Sequence, residues 1–496
     1  MKKGKALRLT ALFLALTMSI LTACSTAPKE EDAPKSDAPK TTNSDAAEPV
    51  PGETEAEPEE PTVWDLTGVP EGTNYDGWNF NALVFQNQTW GWCEICVDEL
   101  QGEVLNDAFF NRNLEVENLL GIKITQDAIS DPWSEPQAFN TSVTSGDGAY
   151  AAAWMRQEQS ASCAMNAMCL DLNELGYIDL THPWWDSHSI EDTTMAGKNY
   201  LIASDISIAD KEAIWVIYFD KQNLANAQLE SPYEIVESGR WTQDKMLEMM
   251  ETVRQDLDGD GQMGRTDLWG LLTHPENFAA SWMAAGERIV STDQNGIPQA
   301  AFETERFVDV WDKTIRLMKA DSCYYESISF ISSGLRDGYT LFATEVIAFL
   351  RAYRDNERDF GVIPMPKYDE TQENYHTYVA AGSGLMIVPK TTDDADRLGA
   401  VLEVLGQTGR EQILPAYFDV SIKTRDSRDE ESGKMLDICF TTRCYDIGMI
   451  FDWGGIVSTL EGGIDSCTRV FSAKGKFMKT SMKKAFEVLG IEVPGE

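Results

Sequence analysis

Basic residues are scarce in this chain: 41 Lys and Arg stand against 81 Asp and Glu, a formal net charge of −40 at pH 7. Such a chain lacks the basic footprint that non-specific nucleic-acid binding requires. Histidine is rarer still. His182, His188, His274 and His376 are the only four, and they form no metal-spaced cluster. No Gly-x4-Gly-Lys-Ser/Thr phosphate loop occurs, so the chain carries no P-loop of its own. No Gly-x-Ser-x-Gly nucleophile elbow is present either. Beyond the first two dozen residues, no apolar run is long enough to cross about 30 Å of hydrocarbon.

The short apolar run that does exist is at the start. Lys2, Lys3, Lys5 and Arg8 precede an apolar segment from Leu9 to Leu21, and Leu21-Thr22-Ala23-Cys24 follows. A basic stretch, a short apolar stretch and a small residue before the cut form an export signal over residues 1–23. A cysteine at the first mature position resembles the lipobox of bacterial lipoproteins. That resemblance implies lipidation of Cys24 and anchoring on the outer face of the cytoplasmic membrane. Each buried methylene of an acyl chain adds about 0.8 kcal/mol of membrane affinity. Residues 24–62 hold almost only Ala, Pro, Ser, Thr, Asp, Glu and Lys. They cannot bury enough apolar surface to offset their chain entropy, so they are expected to be a disordered acidic tether.

The remainder is longer than one hydrophobic core usually serves, and two domains are expected. Eight cysteines follow Cys24. The close pairs Cys93/Cys96, Cys163/Cys169 and Cys439/Cys444 are disulfide candidates in an exported chain, with buried free thiols as the alternative. Asn79 to Phe85 reads as a strand. Leu105, Phe109, Val116 and Leu119/Leu120 then share one helical face that stops at Gly121. Strands alternating with helices at this spacing predict an α/β protein with mainly parallel sheet.

Several passages, in order, resemble one family. Ala213-Ile214-Trp215-Val216-Ile217-Tyr218-Phe219-Asp220-Lys221 is followed by Ser231-Pro232-Tyr233-Glu234 and Gly239-Arg240-Trp241-Thr242. Leu105-Asn106-Asp107 with Arg112-Asn113, Pro183-Trp184-Trp185-Asp186, Phe360 to Pro366, Gly384 to Pro389 and Arg428 to Ser432 complete the set. Together they are similar to the family 1 extracellular solute-binding proteins of bacterial ABC importers, the group of maltose-binding protein. The resemblance implies a two-lobe, periplasmic-binding-protein-like fold of type II, with the ligand cleft between lobes joined by crossing hinge strands. Lobe one is expected at 78–211 plus 336–410, and lobe two at 212–335 plus 411–496. It further implies a monomeric, non-enzymatic receptor that closes on a small solute and delivers it to ABC permease subunits.

A carbohydrate is the expected ligand, because aromatic faces pack on sugar rings while carboxylates and amides bind hydroxyls. The candidate contacts are Trp90, Trp154, Trp282 and Trp453, with Asp205 and Glu212 as polar partners by position in the family. Trp184 and Trp185 read as structural. From Asp256, acids occupy positions 1, 3, 5 and 12 of a twelve-residue run, with glycine at 6. Asp256, Asp258, Asp260, Gln262 and Asp267 thus form a candidate calcium loop of EF-hand type, in which position 7 supplies a backbone carbonyl. No other cofactor is expected. Two other classes remain open: an extracellular glycoside hydrolase using paired carboxylates, and a glycan-sensing lipoprotein feeding a receptor.

Overall fold

The computed structural model describes residues 61–85, 95–131, 133–325, 328–354, 356–418, 422, 429–457 and 466–493, with the backbone alone at 328 and 329. The signal, Cys24, nearly all of the tether, Trp90 and Cys93 lie outside the described residues.

The first sheet grows from the strand Trp78–Phe85, whose last residues are buried on both faces. It pairs in parallel with Ile122–Ile129 on one side and Ala152–Arg156 on the other. Gly384–Ile387 closes the far edge, antiparallel to Ala152–Arg156. The crossover between the first two strands is the helix Val104–Leu120, which buries Leu105, Phe109, Val116 and Leu120 as its periodicity requires. Glu103 caps it by accepting from the amides of Leu105 and Asn106. Gly121 ends it at φ +61, and a Cβ there would lie 2.4 Å from the Asn74 amide. Glycine takes this left-handed conformation without a Cβ penalty.

The second sheet runs in the order Phe360–Ile363, Trp215–Asp220, Thr340–Val346, Trp269–Thr273, Cys323–Tyr325. Trp215–Asp220 is antiparallel to both of its neighbours, while the remaining pairs are parallel. The sheets are therefore mixed rather than mainly parallel.

Strand pairing also departs from the expected boundary at 336. Thr340–Val346 and Phe360–Ile363 both pair with Trp215–Asp220, so this stretch belongs to the second sheet. Arg358 fixes the arrangement by bonding Asp220 through Nε at 2.6 Å and Nη2 at 2.8 Å. The chain rejoins the first sheet only at Gly384–Ile387. Beyond it, the helix Ala395–Pro415 packs on Val104–Leu120. The helix Glu430–Thr441 packs on Phe360–Ile363, where Ser432 Oγ accepts from the Val362 amide.

Two segments pass side by side between the sheets. Ala380 donates its amide to the Ala213 carbonyl at 2.8 Å, and Ile214 bridges Val379. Among the described residues no cysteine is paired: Cys163, Cys169, Cys439 and Cys444 are buried free thiols, which overturns two of the three candidate disulfides. Burial raises the thiol pKa of each, to about 12 for Cys163 and Cys444. No helix among the described residues is long and apolar enough to cross a membrane.

Candidate functional site

Parallel strands end on a common edge, and both sheets turn that edge toward the crossing segments. In the first sheet Arg156 ends its strand opposite Gly384. The next residue, Gln157, donates its amide to the Ala381 carbonyl and its side chain to the carbonyls of Val379 and Ala380. In the second sheet Trp215 begins its strand opposite Val346, and Trp269–Thr273 runs out into His274, Pro275 and Glu276. A cavity of about 40 Å³ lies there, lined by Glu276, Ala279, Tyr378, Ala381 and Met449 among others. The carboxyl ends of strands at a change of topology are where α/β folds place ligands. At 40 Å³ the cavity is far smaller than a usual small-molecule site of about 300–1,000 Å³ and does not hold a sugar by itself.

The polar groups at this junction are few and mostly paired. Arg351 Nη2 lies 2.7 Å from the buried Glu212 carboxylate, and Arg156 Nε lies 2.8 Å from Glu158. Buried polar atoms without a hydrogen-bond partner here include Trp215 Nε1, Ser383 Oγ and Glu158 Oε2. The indole nitrogens of Trp282 and Trp453 are orphaned in the same way, so such an atom does not by itself mark a ligand. Glu345, buried at the end of its strand, is pushed well above the usual carboxylate range by desolvation, with the Ser332 hydroxyl opposing.

The sequence-predicted contacts are dispersed. Glu212 stands at the junction. Trp154 is sealed in the first sheet between Val84 and Met386. Trp282 is wholly buried, stacked on Trp311 with centroids 5.1 Å apart and Phe278 edge-on. Trp453 is buried against Phe451. In this arrangement all three indoles are core, because each apolar ring has found an apolar partner. Trp184 and Trp185 are structural as expected: both indoles donate to the buried Glu403, which also accepts from the Asp179 amide.

Asp205 belongs to a different place. It pairs with Lys211 at 3.0 Å and Arg410 at 3.1 Å, in a groove of about 580 Å³ that also includes Trp185, His188 and Arg443. Lys211 also reaches Asp210 at 3.0 Å, and Arg443 holds Asp186. Burial alone would raise the Asp186 carboxyl, but Arg443 and Lys211 outweigh it and hold it near pKa 2. Burial wins at Asp210, which is pushed up to about 6 despite Lys211 and Arg443.

Sequence reasoning missed Trp133, Arg156 and Glu158. The signal was present in both cases: Arg156-Gln157-Glu158 is a polar triplet directly behind an apolar strand, and Trp133 is a tryptophan inside a polar turn.

The loop 256–267 partly fits a calcium ion. One carboxylate oxygen from each of Asp256, Asp258 and Asp260 lies within 4.8 Å of the others. Gly261, at position 6, has φ +82. Asp267 does not join them. It is fully buried, and its two oxygens accept from the amides of Gly264 and Leu257, which hold its carboxyl below the usual range. The Gln262 amide is bonded to Asp260, which leaves the Gln262 carbonyl as the donor expected of position 7.

No protein-family profile matches this chain. No curated protein matches it either. Solved structures do. A substrate-binding protein of an ABC transporter from Listeria monocytogenes, in complex with cycloalternan, is 14% identical with a TM-score of 0.51, and the match covers 84% of this chain and 100% of that one. A cyclic α-maltosyl-1,6-maltose binding protein from Arthrobacter globiformis is 13% identical with a TM-score of 0.58, covering 82% of this chain and 99% of that one. This chain has the fold of an ABC solute-binding protein. UgpB from Mycobacterium tuberculosis, in complex with glycerophosphocholine, is also similar, at 14% identity, a TM-score of 0.53 and coverage of 83% and 99%. The solute-binding fold is two-lobed, and its match along most of this chain agrees with two sheets linked by crossing segments.

Proposed function

We propose that this protein is an extracytoplasmic receptor that captures a carbohydrate at the junction of its two sheets and delivers it to an ABC permease. The convergence of both sheet edges on the crossing segments carries the reading, because a ligand seated there touches both lobes. Ligand that bonds Arg156 and Glu158 on one side and Glu212 and Arg351 on the other favours the closed arrangement, and hinge closure follows. Fold neighbours in complex with cycloalternan, maltotetraose and maltotriose support a sugar.

In this reading lobe one is built on the first sheet and lobe two on the second, with the lipid on Cys24 and the tether holding both outside the membrane. The loop 256–267 takes a structural calcium through Asp256, Asp258 and Asp260. Its chemistry is that of a cross-link, drawing three carboxylates together.

The test is thermal melting of the mature chain against a panel of mono- and oligosaccharides. A sugar that binds only the folded state raises stability by about 2.7 kcal/mol at one hundred times its Kd. A shift for one sugar class, with the sugar recovered intact by mass spectrometry, is the expected result. Cleavage of that sugar would make the protein a glycoside hydrolase, and no shift with any sugar would remove carbohydrate as the ligand.

A further inference from the structure

Trp133 exposes 70% of its surface, more than any other large hydrophobic residue among those described. A lone exposed hydrophobic side chain is ordinary and needs no function. This one is positioned. The guanidinium carbon of Arg156 lies 5.8 Å from its ring centroid, within cation–π range, and Glu158 holds Arg156 in turn. The same Arg156 ends the strand whose next residue, Gln157, binds the crossing segment, and Ala381 of that segment lines the junction cavity. Trp133 therefore stands at the outer end of a contiguous path from the junction.

Behind Trp133 the helix Glu135–Ser145 continues the surface. Gln137, Asn140, Thr141 and Thr144 recur at the spacing of one helical face and, with Trp133, line an open groove of about 660 Å³. Among the described residues the lining holds amides, hydroxyls, Trp133 and Pro136, and no charged side chain. Asn140 Oδ1 is buried with no partner. A helical or strand-like protein partner would require an apolar stripe, which these residues lack. Anionic guests are disfavoured by a chain of net charge −40. An indole face beside neutral amides and hydroxyls suits a neutral sugar ring, whose C–H face packs on the indole while its hydroxyls exchange hydrogen bonds.

We propose that Trp133 and the Gln137–Asn140–Thr141–Thr144 face form an outer glycan subsite, which takes the units of a neutral oligosaccharide that project from the junction. This deepens the carbohydrate-receptor reading and rests on it.

Isothermal titration of the mature chain with malto-, cello- and xylo-oligosaccharides, from disaccharide to octasaccharide, tests it in wild type, Trp133→Ala, Trp133→Phe and Asn140→Ala. Trp133→Ala is expected to weaken the longest chains of the bound series about tenfold, which is about 1.4 kcal/mol, and to leave the disaccharide unchanged. Trp133→Phe restores most of the loss, and Asn140→Ala repeats part of it. An unchanged melting temperature without sugar confirms that the exposed indole was not supporting the fold. Equal affinity of Trp133→Ala and wild type at every length overturns the outer subsite and leaves the receptor standing. Equal weakening at every length places Trp133 in the junction itself and also overturns it. Failure of wild type to bind any of these sugars overturns both readings together.

Discussion

Arg443 closes on a single oxygen of Asp186, Oδ2, through Nη2 at 2.6 Å and Nε at 2.9 Å, although 256 residues lie between them in the chain. Asp186 also caps the helix Ser187–Thr193, accepting from the amides of His188 and Ser189. The pair therefore ties the start of that helix to the strand Arg443–Cys444, which is bonded to the crossing segment at Thr377–Tyr378. Removing one partner of a buried pair strands the other charge. Arg443→Ala is expected to cost about 3–5 kcal/mol. Urea unfolding measures it, and a cost under about 1 kcal/mol would mean that water reaches Asp186 and Asp210 freely.

Close packing makes the second prediction. A Cβ on Gly399 would lie 1.8 Å from the Gly176 carbonyl oxygen, and one on Gly409 would lie 2.2 Å from the Asp205 carbonyl. Backbone atoms on both sides leave no flexible side chain to give way. Gly399→Ala is expected to lose about 1–3 kcal/mol through overpacking, although alanine is the better helix former. A melting temperature at or above wild type would show that the helix Ala395–Pro415 can slide away.

A buried group, Glu135, and a half-buried one, His376, shape the pH dependence in opposite senses. Burial, aided by Arg288 and His188, lowers His376 to about pKa 4, so the folded protein keeps it neutral while the unfolded chain titrates near 6.5. Between those values the unfolded state binds more protons, and stability falls as pH drops. Burial raises Glu135 to about 9 against the pull of Arg156, while the unfolded chain ionises near 4.5. There the folded state binds more protons, so stability falls as pH rises through that window. Glu135→Gln should therefore gain on wild type as pH rises, by at most about 1.4 kcal/mol per pH unit. His376→Gln should gain as pH falls below about 6.5. Urea midpoints across the range check both slopes, and parallel curves would contradict them.

Calcium makes the fourth prediction. Saturating calcium should raise the melting temperature of wild type and not that of Asp256→Asn, since Asp256 offers one of the three converging carboxylates. Asp267→Asn should instead destabilise the protein with or without the ion, because its oxygens hold the amides of Gly264 and Leu257. Equal response of wild type and Asp256→Asn would place any calcium elsewhere.

Much of the fold was legible because it is local. The helix Val104–Leu120 and its stop at Gly121 follow from apolar spacing and a closing glycine, and the strand Trp78–Phe85 follows from an apolar run; the strand Trp215–Asp220 came with the family resemblance. Trp184 and Trp185 read as structural, and both indoles do donate to the buried Glu403. What the sequence left open was direction and partnership. No local pattern names the partner: that Trp282 seals on Trp311, or that Arg156 lies over Trp133.

The sequence by itself determined which segments form helices and strands and where each stops, because backbone propensity, apolar period and capping act within a few residues. Tertiary structure alone decided that 340–346 and 360–363 join the second sheet, that Trp154, Trp282 and Trp453 are core, and that Glu212 meets Arg351. Those outcomes depend on contacts between residues far apart in the chain, where burial of apolar area and pairing of desolvated charge are settled only when the sheets assemble.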